Sequence, residues 1–165
     1  MIQESINDIS VLPTHARVWV FQSSRPLTGV MRSEVDSQLT EFLSSWAAHG
    51  LSLMTAYEIR YDRFLVIAVD EEVAQATGCS IDGMMRTVQN IDAEFNLDLL
   101  NRMKVAYRSG EDVVECDVNE FTRMLAQGEA NSSTPVFNNV VQSIGELSKS
   151  WETKVENSWH VNLLP

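Results

Sequence analysis

From Val35 onward the apolar side chains return as Val35, Leu39, Phe42, Leu43, Trp46 and Ala47. That 3.6-residue stripe predicts an amphipathic helix, with Gly50 as its left-handed cap beyond His49. A second stripe, Ile81, Met84, Met85, Val88, Ile91 and Phe95, follows a polar connection ending at Gly78 and places Asp82 in a first helical turn. Strand patterns lie around these helices. Arg17–Gln22 is a run of β-branched and aromatic residues that stops at Ser23-Ser24-Arg25-Pro26. Leu51–Tyr61 and Arg63–Val69 read as a hairpin turning near Tyr61-Asp62, although the turn lacks an Asn-Gly or Asp-Gly pair. Met103–Arg108 and Val113–Cys116 flank a turn at Ser109–Asp112. Asp117 with Glu120, and Ser143 with Glu146, are capping-box patterns that predict two short helices, the first closed by Gly128. Between them Thr134–Val141 reads as a strand after a loop.

Up to Arg108 the order is strand, helix, strand, strand, helix, strand, which predicts an α+β fold with a ferredoxin-like βαββαβ core. A single domain over residues 1–165 is expected, with an arm at 1–14, the core at 15–110 and a C-terminal β/α extension at 111–165. Val18–Phe21 and Phe64–Val69 are apolar on both pleat faces, as befits the two inner strands of such a sheet. The two helices of the motif cover one face only. The extension, carrying Phe121, Phe137, Trp151 and Trp159, is expected to cover the second, with homodimerisation as the competing source of cover.

Composition narrows the function. The chain of 165 residues is 44 % hydrophobic and 21 % charged, so it can bury a core and is not expected to be disordered. The longest apolar run, Phe64–Val69, is far shorter than the ~20 residues of a membrane span. Met1-Ile2-Gln3-Glu4-Ser5 has no signal-peptide character, so the expectation is a soluble cytoplasmic protein. With 12 Lys plus Arg against 23 Asp plus Glu, a net charge of −11 disfavours nucleic acid and anionic membrane surfaces as partners. Cys79 and Cys116 lack CxxC spacing; neither a disulfide framework nor a metal site is expected, and no cofactor.

Three groups of residues offer chemistry. Cys79, in Gly78-Cys79-Ser80-Ile81-Asp82-Gly83, begins a predicted helix, where unpaired backbone donors and the dipole favour thiolate. It is a candidate nucleophile, with Asp82 and either His49 or His160 to orient it or move a proton. The same residues have structural roles available: Cys79 as small apolar filler, His49 as a helix cap, and His160 beside an anchoring Trp159. Arg60, Tyr61 and Arg63 flank the hairpin turn and could grip a carboxylate or phosphate, or pair with local acids. Leu65–Glu71 imitates a Walker B strand. None of the seven glycines is followed by lysine, so the GxxxxGK[ST] loop is missing and ATP hydrolysis by a P-loop mechanism is not expected.

Trp46-x-x-His49-Gly50, Arg60-Tyr61-x-Arg63-Phe64, Gly78-Cys79-Ser80-Ile81-Asp82, Val136-Phe137-Asn138-Asn139 and Ser158-Trp159-His160 together resemble a small family of uncharacterised bacterial proteins often labelled "ABC transporter ATPase". The resemblance runs over nearly the whole chain and implies the same label here. It brings no catalytic residues with it. From the residues themselves the leading expectation is a non-catalytic module that binds a small molecule or a protein. A thiol-dependent enzyme using Cys79 is the alternative, and a nucleotide-binding protein is the third.

Overall fold

The computed structural model describes residues 8–48, 50–72 and 74–165. His49, expected as a cap and as a catalytic partner, lies outside them. Two compact units form: the described residues up to Leu100 together with Gln142–Gly145, and Asn101–Val141 together with Glu146–Pro165. Helices and antiparallel sheets in both establish an α+β fold.

The first unit is built on a three-stranded sheet. Strands β1 (Arg17–Gln22), β4 (Met54–Arg60) and β5 (Phe64–Asp70) lie in the order β1-β5-β4, with every pairing antiparallel. A small hairpin of β2 (Ala47–Ala48) and β3 (Leu51–Ser52) precedes β4. Helices α1 (Gly29–Ser45) and α2 (Gly78–Phe95) pack on one sheet face. There Val35 and Leu39 of α1 and Met84, Val88 and Ile91 of α2 join Leu65, Ile67 and Val69 of β5 in one apolar cluster. The alternate side chains of β5, Phe64, Val66 and Ala68, are equally inaccessible. Its apolar character on both pleat faces therefore corresponds to burial on both. The same expectation for β1 is corrected, since Trp19 and Val20 in its middle are only half-buried.

The ferredoxin-like core expected from the sequence is not formed as such: only three of its four strands share this sheet, in the order β1-β5-β4. The segment read as Met103–Arg108 forms β6 (Lys104–Ser109) in a separate sheet of order β7-β6-β8-β9. Its hairpin partner β7 (Asp112–Asp117) occupies one edge and β8 (Pro135–Phe137) the other, so β6 has no edge left for β1. Closing a hairpin across the Gly110-Glu111 turn, with Gly110 at φ +65°, costs less loop entropy than a distant pairing. The place beside β1 is taken by Gln142–Ile144. Val18 N–H donates to the Gln142 carbonyl at 3.1 Å, and Ile144 N–H to that of Ala16 at 3.0 Å.

Other boundaries shift for local reasons. α1 stops at Ser45 because Trp46 is extended, and Gly50, at φ +76°, belongs to the β2–β3 region rather than to a helix cap. α2 starts at Gly78, so Asp82 lies beyond its first turn. In the second unit α3 (Val118–Ala126) is capped by Asp117, whose Oδ1 accepts from Glu120 N–H at 2.9 Å. The Thr134–Val141 strand shortens to β8, and the chain continues through α4 (Ile144–Ser150) to β9 (Glu152–Lys154), which pairs with β8. Phe121, Phe137 and Trp151 are buried and Trp159 half-buried. Among the described residues no helix is long and apolar enough to cross a membrane.

Candidate functional site

The first turn of α2 is tightly specified. Thr77 is its N-cap; Thr77 Oγ1 accepts from Ser80 N–H at 3.2 Å and Ser80 Oγ from Thr77 N–H at 2.6 Å, a reciprocal capping box in which serine replaces the usual Glu or Gln. Cys79 sits in this turn, exposed, and Asp82 stands three residues on, also exposed. Residues at that spacing share a helix face, so the fold does bring these two together. The one histidine described in this unit is His15, and it faces Asp70 and Glu72.

His160 lies in the second unit and is sealed in it. Its residue surface is wholly inaccessible, its ring stacks on Trp159 at 3.9 Å between centroids, and Phe121 meets it edge-on at 6.3 Å. Nδ1 is 2.6 Å from Ser158 Oγ, while Nε2 has no hydrogen-bond partner. Burial pushes the imidazole pKa down to about 4, because a cation there would lose its hydration without gaining a counter-charge. The imidazole is neutral at pH 7 and closed to solvent.

The hairpin-turn cations are engaged locally. Tyr61 and Asp62 take left-handed angles, φ 52° and 51°, at the turn between β4 and β5, a conformation usually given to Asn or Gly. Arg60 Nε donates to Glu58 Oε2 at 2.7 Å. Arg63 is buried and donates from its guanidinium to the Ser23 carbonyl at 3.0 Å, while its own carbonyl accepts from Ser23 N–H at 2.7 Å. Arg63 thereby ties the turn to the chain leaving β1. Tyr61 is half-exposed at the tip.

A grouping not anticipated from the sequence lies at the other end of β5. His15, Asp70 and Glu72 each bring a potential metal-ligand atom within 4.8 Å of the others. His15 Nε2 is 3.5 Å from Asp70 Oδ1 and 3.9 Å from Glu72 Oε2. Asp70 Oδ1 also accepts from Glu72 N–H at 3.0 Å. The intervening Glu71 turns to Arg17, 3.5 Å away. The signal was present only as a register: with β1 antiparallel to β5 and Arg17 opposite Val69, the residues before β1 meet those after β5. Asp70 and Glu71 are also the acidic end of the Walker-B-like stretch, and the acidic residue there faces an imidazole.

No family model, curated protein or solved structure matches the chain. Cys116, the second thiol, is half-buried on β7, and its pKa is pushed up to about 11, first by burial and then by Glu120, Asp117 and Glu115. That environment suppresses thiolate and nucleophilic chemistry at neutral pH.

Proposed function

We infer that this chain is a non-catalytic binding module for a small molecule or a protein. The observation that carries this reading is the state of His160, the described imidazole proposed to serve Cys79: it is buried, neutral and hydrogen-bonded to Ser158. A proton-transfer group must reach its substrate directly or through one water, and a sealed ring stacked on Trp159 does not. Within this reading the first unit is a ferredoxin-like arrangement whose fourth strand position is filled by Gln142–Ile144. The net charge of −11 argues against nucleic-acid and anionic membrane partners.

The test is the rate at which Cys79 reacts with a thiol reagent as a function of pH. A binding module labels at Cys79 no faster than a free-thiol peptide at or below neutral pH. Rapid labelling that persists well below neutral pH overturns the reading in favour of a thiol enzyme.

A second reading is favoured by the position of Asp70 at the end of β5 and by the family resemblance: nucleotide binding without hydrolysis. It predicts that ATP with magnesium raises the melting temperature saturably. An unchanged melting temperature at millimolar ATP removes it.

A further inference from the structure

At the end of the β1–β5 pair, the placement of His15, Asp70 and Glu72 points to a ligand, and we propose that these three residues bind a divalent transition-metal ion of the zinc type. The inference rests on the reading of the chain as a binding module and supplies that module with a ligand class.

The backbone builds the site. Antiparallel register sets Arg17 opposite Val69, so the chain entering β1 and the chain leaving β5 run side by side. Asp70 is the last residue of β5, a strand buried along its preceding length, and its side chain is only 15 % exposed. Its carboxylate is held by Glu72 N–H. His15 and Glu72 are 62 % and 72 % exposed, so one ligand is anchored and two are open to an arriving ion.

The spacing suits a small cation. Zinc bonds of about 2.0–2.2 Å to imidazole nitrogen and carboxylate oxygen place tetrahedral neighbours about 3.4 Å apart. The 3.5 Å and 3.9 Å separations from His15 Nε2 are close to that edge. One imidazole nitrogen with two carboxylates is a donor set for zinc, cobalt(II) or manganese(II), whereas magnesium and calcium favour oxygen alone. Three protein ligands leave a fourth position for water or a ligand atom. Charge favours occupancy as well: Asp70, Glu71 and Glu72 are consecutive carboxylates, Arg17 pairs with Glu71, and a single imidazole faces the remaining two. The competing description, a surface His–carboxylate ion pair, binds no metal and contributes little to stability.

Zinc titrated into the full chain by calorimetry is expected to show a saturable site. Its affinity falls roughly tenfold or more in both His15→Ala and Asp70→Asn, as loss of a ligand requires. Glu71→Gln retains the wild-type affinity because that carboxylate faces Arg17. His15→Gln serves as a second variant, and cobalt(II) should broaden the His15 ring resonances in the NMR spectrum of the wild-type chain. The proposal is overturned by the absence of saturable binding, or by binding that survives in the His15 variants, which would place the ion on Cys79, Cys116 or elsewhere. Failure here leaves the pH profile of Cys79 labelling untouched, so the module reading stands or falls separately.

Discussion

The indole Nε1 of buried Trp46 donates to the carbonyl oxygen of Ser80 at 2.7 Å, tying the residue that ends α1 to the first turn of α2. Trp46 is also packed against Phe42, at 5.4 Å between centroids, and edge-on to Trp19 at 6.0 Å. One side chain thus stops a helix, joins two helices and sits beside the turn that carries Cys79. Trp46→Phe keeps an aromatic ring but removes the hydrogen bond and part of the volume. It is expected to lower stability by about 2 kcal/mol, read as a shift of the urea midpoint at constant slope.

His160 makes stability depend on pH. Its folded pKa of about 4 lies below the ordinary value of 6.5, so between those values the unfolded chain binds more protons than the folded one. The native state keeps its full stability above about pH 6.5 and loses it as pH falls toward 4. The loss from this group is at most about 3 kcal/mol, from 1.36 kcal/mol per pKa unit. His160→Gln should remove this component from a stability-against-pH curve. An unchanged slope between pH 4 and 6.5 in that variant would show that the imidazole titrates normally.

The two thiols should separate cleanly. Cys79 is exposed, whereas Cys116 is half-buried and held protonated by its surroundings, with a pKa of about 11. Mass spectrometry after brief alkylation of the native protein at pH 8 is expected to find the reagent on Cys79 and not on Cys116. Equal labelling would contradict the half-burial and raised pKa of Cys116.

The cap of α3 is a local test of the second unit. Asp117 Oδ1 accepts from Glu120 N–H, and Glu120 itself is held by Arg123 at 2.6 Å. Asp117→Ala should cost about 1 kcal/mol in thermal unfolding, and Asp117→Asn substantially less. Equal losses in the two variants would assign the effect to charge rather than to the accepted hydrogen bond.

Tyr61 presents the opposite case, a residue in a conformation it disfavours. At φ 52° the exposed tyrosine occupies a left-handed position that asparagine or glycine adopts readily. Tyr61→Asn is expected to stabilise the hairpin by about 0.5–1 kcal/mol, measured as a rise in melting temperature. A fall would mean that the tyrosine ring contributes more through its contacts than its backbone costs.

Much of the local structure was legible in the chain because its causes are local. The Arg17–Gln22 strand, the two helical stripes, the Tyr61-Asp62 turn and the Asp117 cap each depend on neighbours a few residues away. β5 was also readable as an inner strand, since its unbroken apolar run from Phe64 to Val69 is buried on both faces. β9 left no such signal, because Glu-Thr-Lys has neither apolar alternation nor length and pairs only because β8 lies beside it.

The partners of those elements were decided in three dimensions. Each strand has two edges, and β7 and β8 fill those of β6, leaving Gln142–Ile144 to lie along β1. The candidate chemistry divided in the same way. Cys79 and Asp82 share a helix face by spacing alone, but whether an imidazole is open or sealed depends on packing, and Trp159 and Phe121 close over His160. His15 and Asp70 stand 55 positions apart in sequence and meet only through the β1–β5 register. Local spacing is written in the order of residues; convergence of distant side chains exists only once strands have chosen their neighbours.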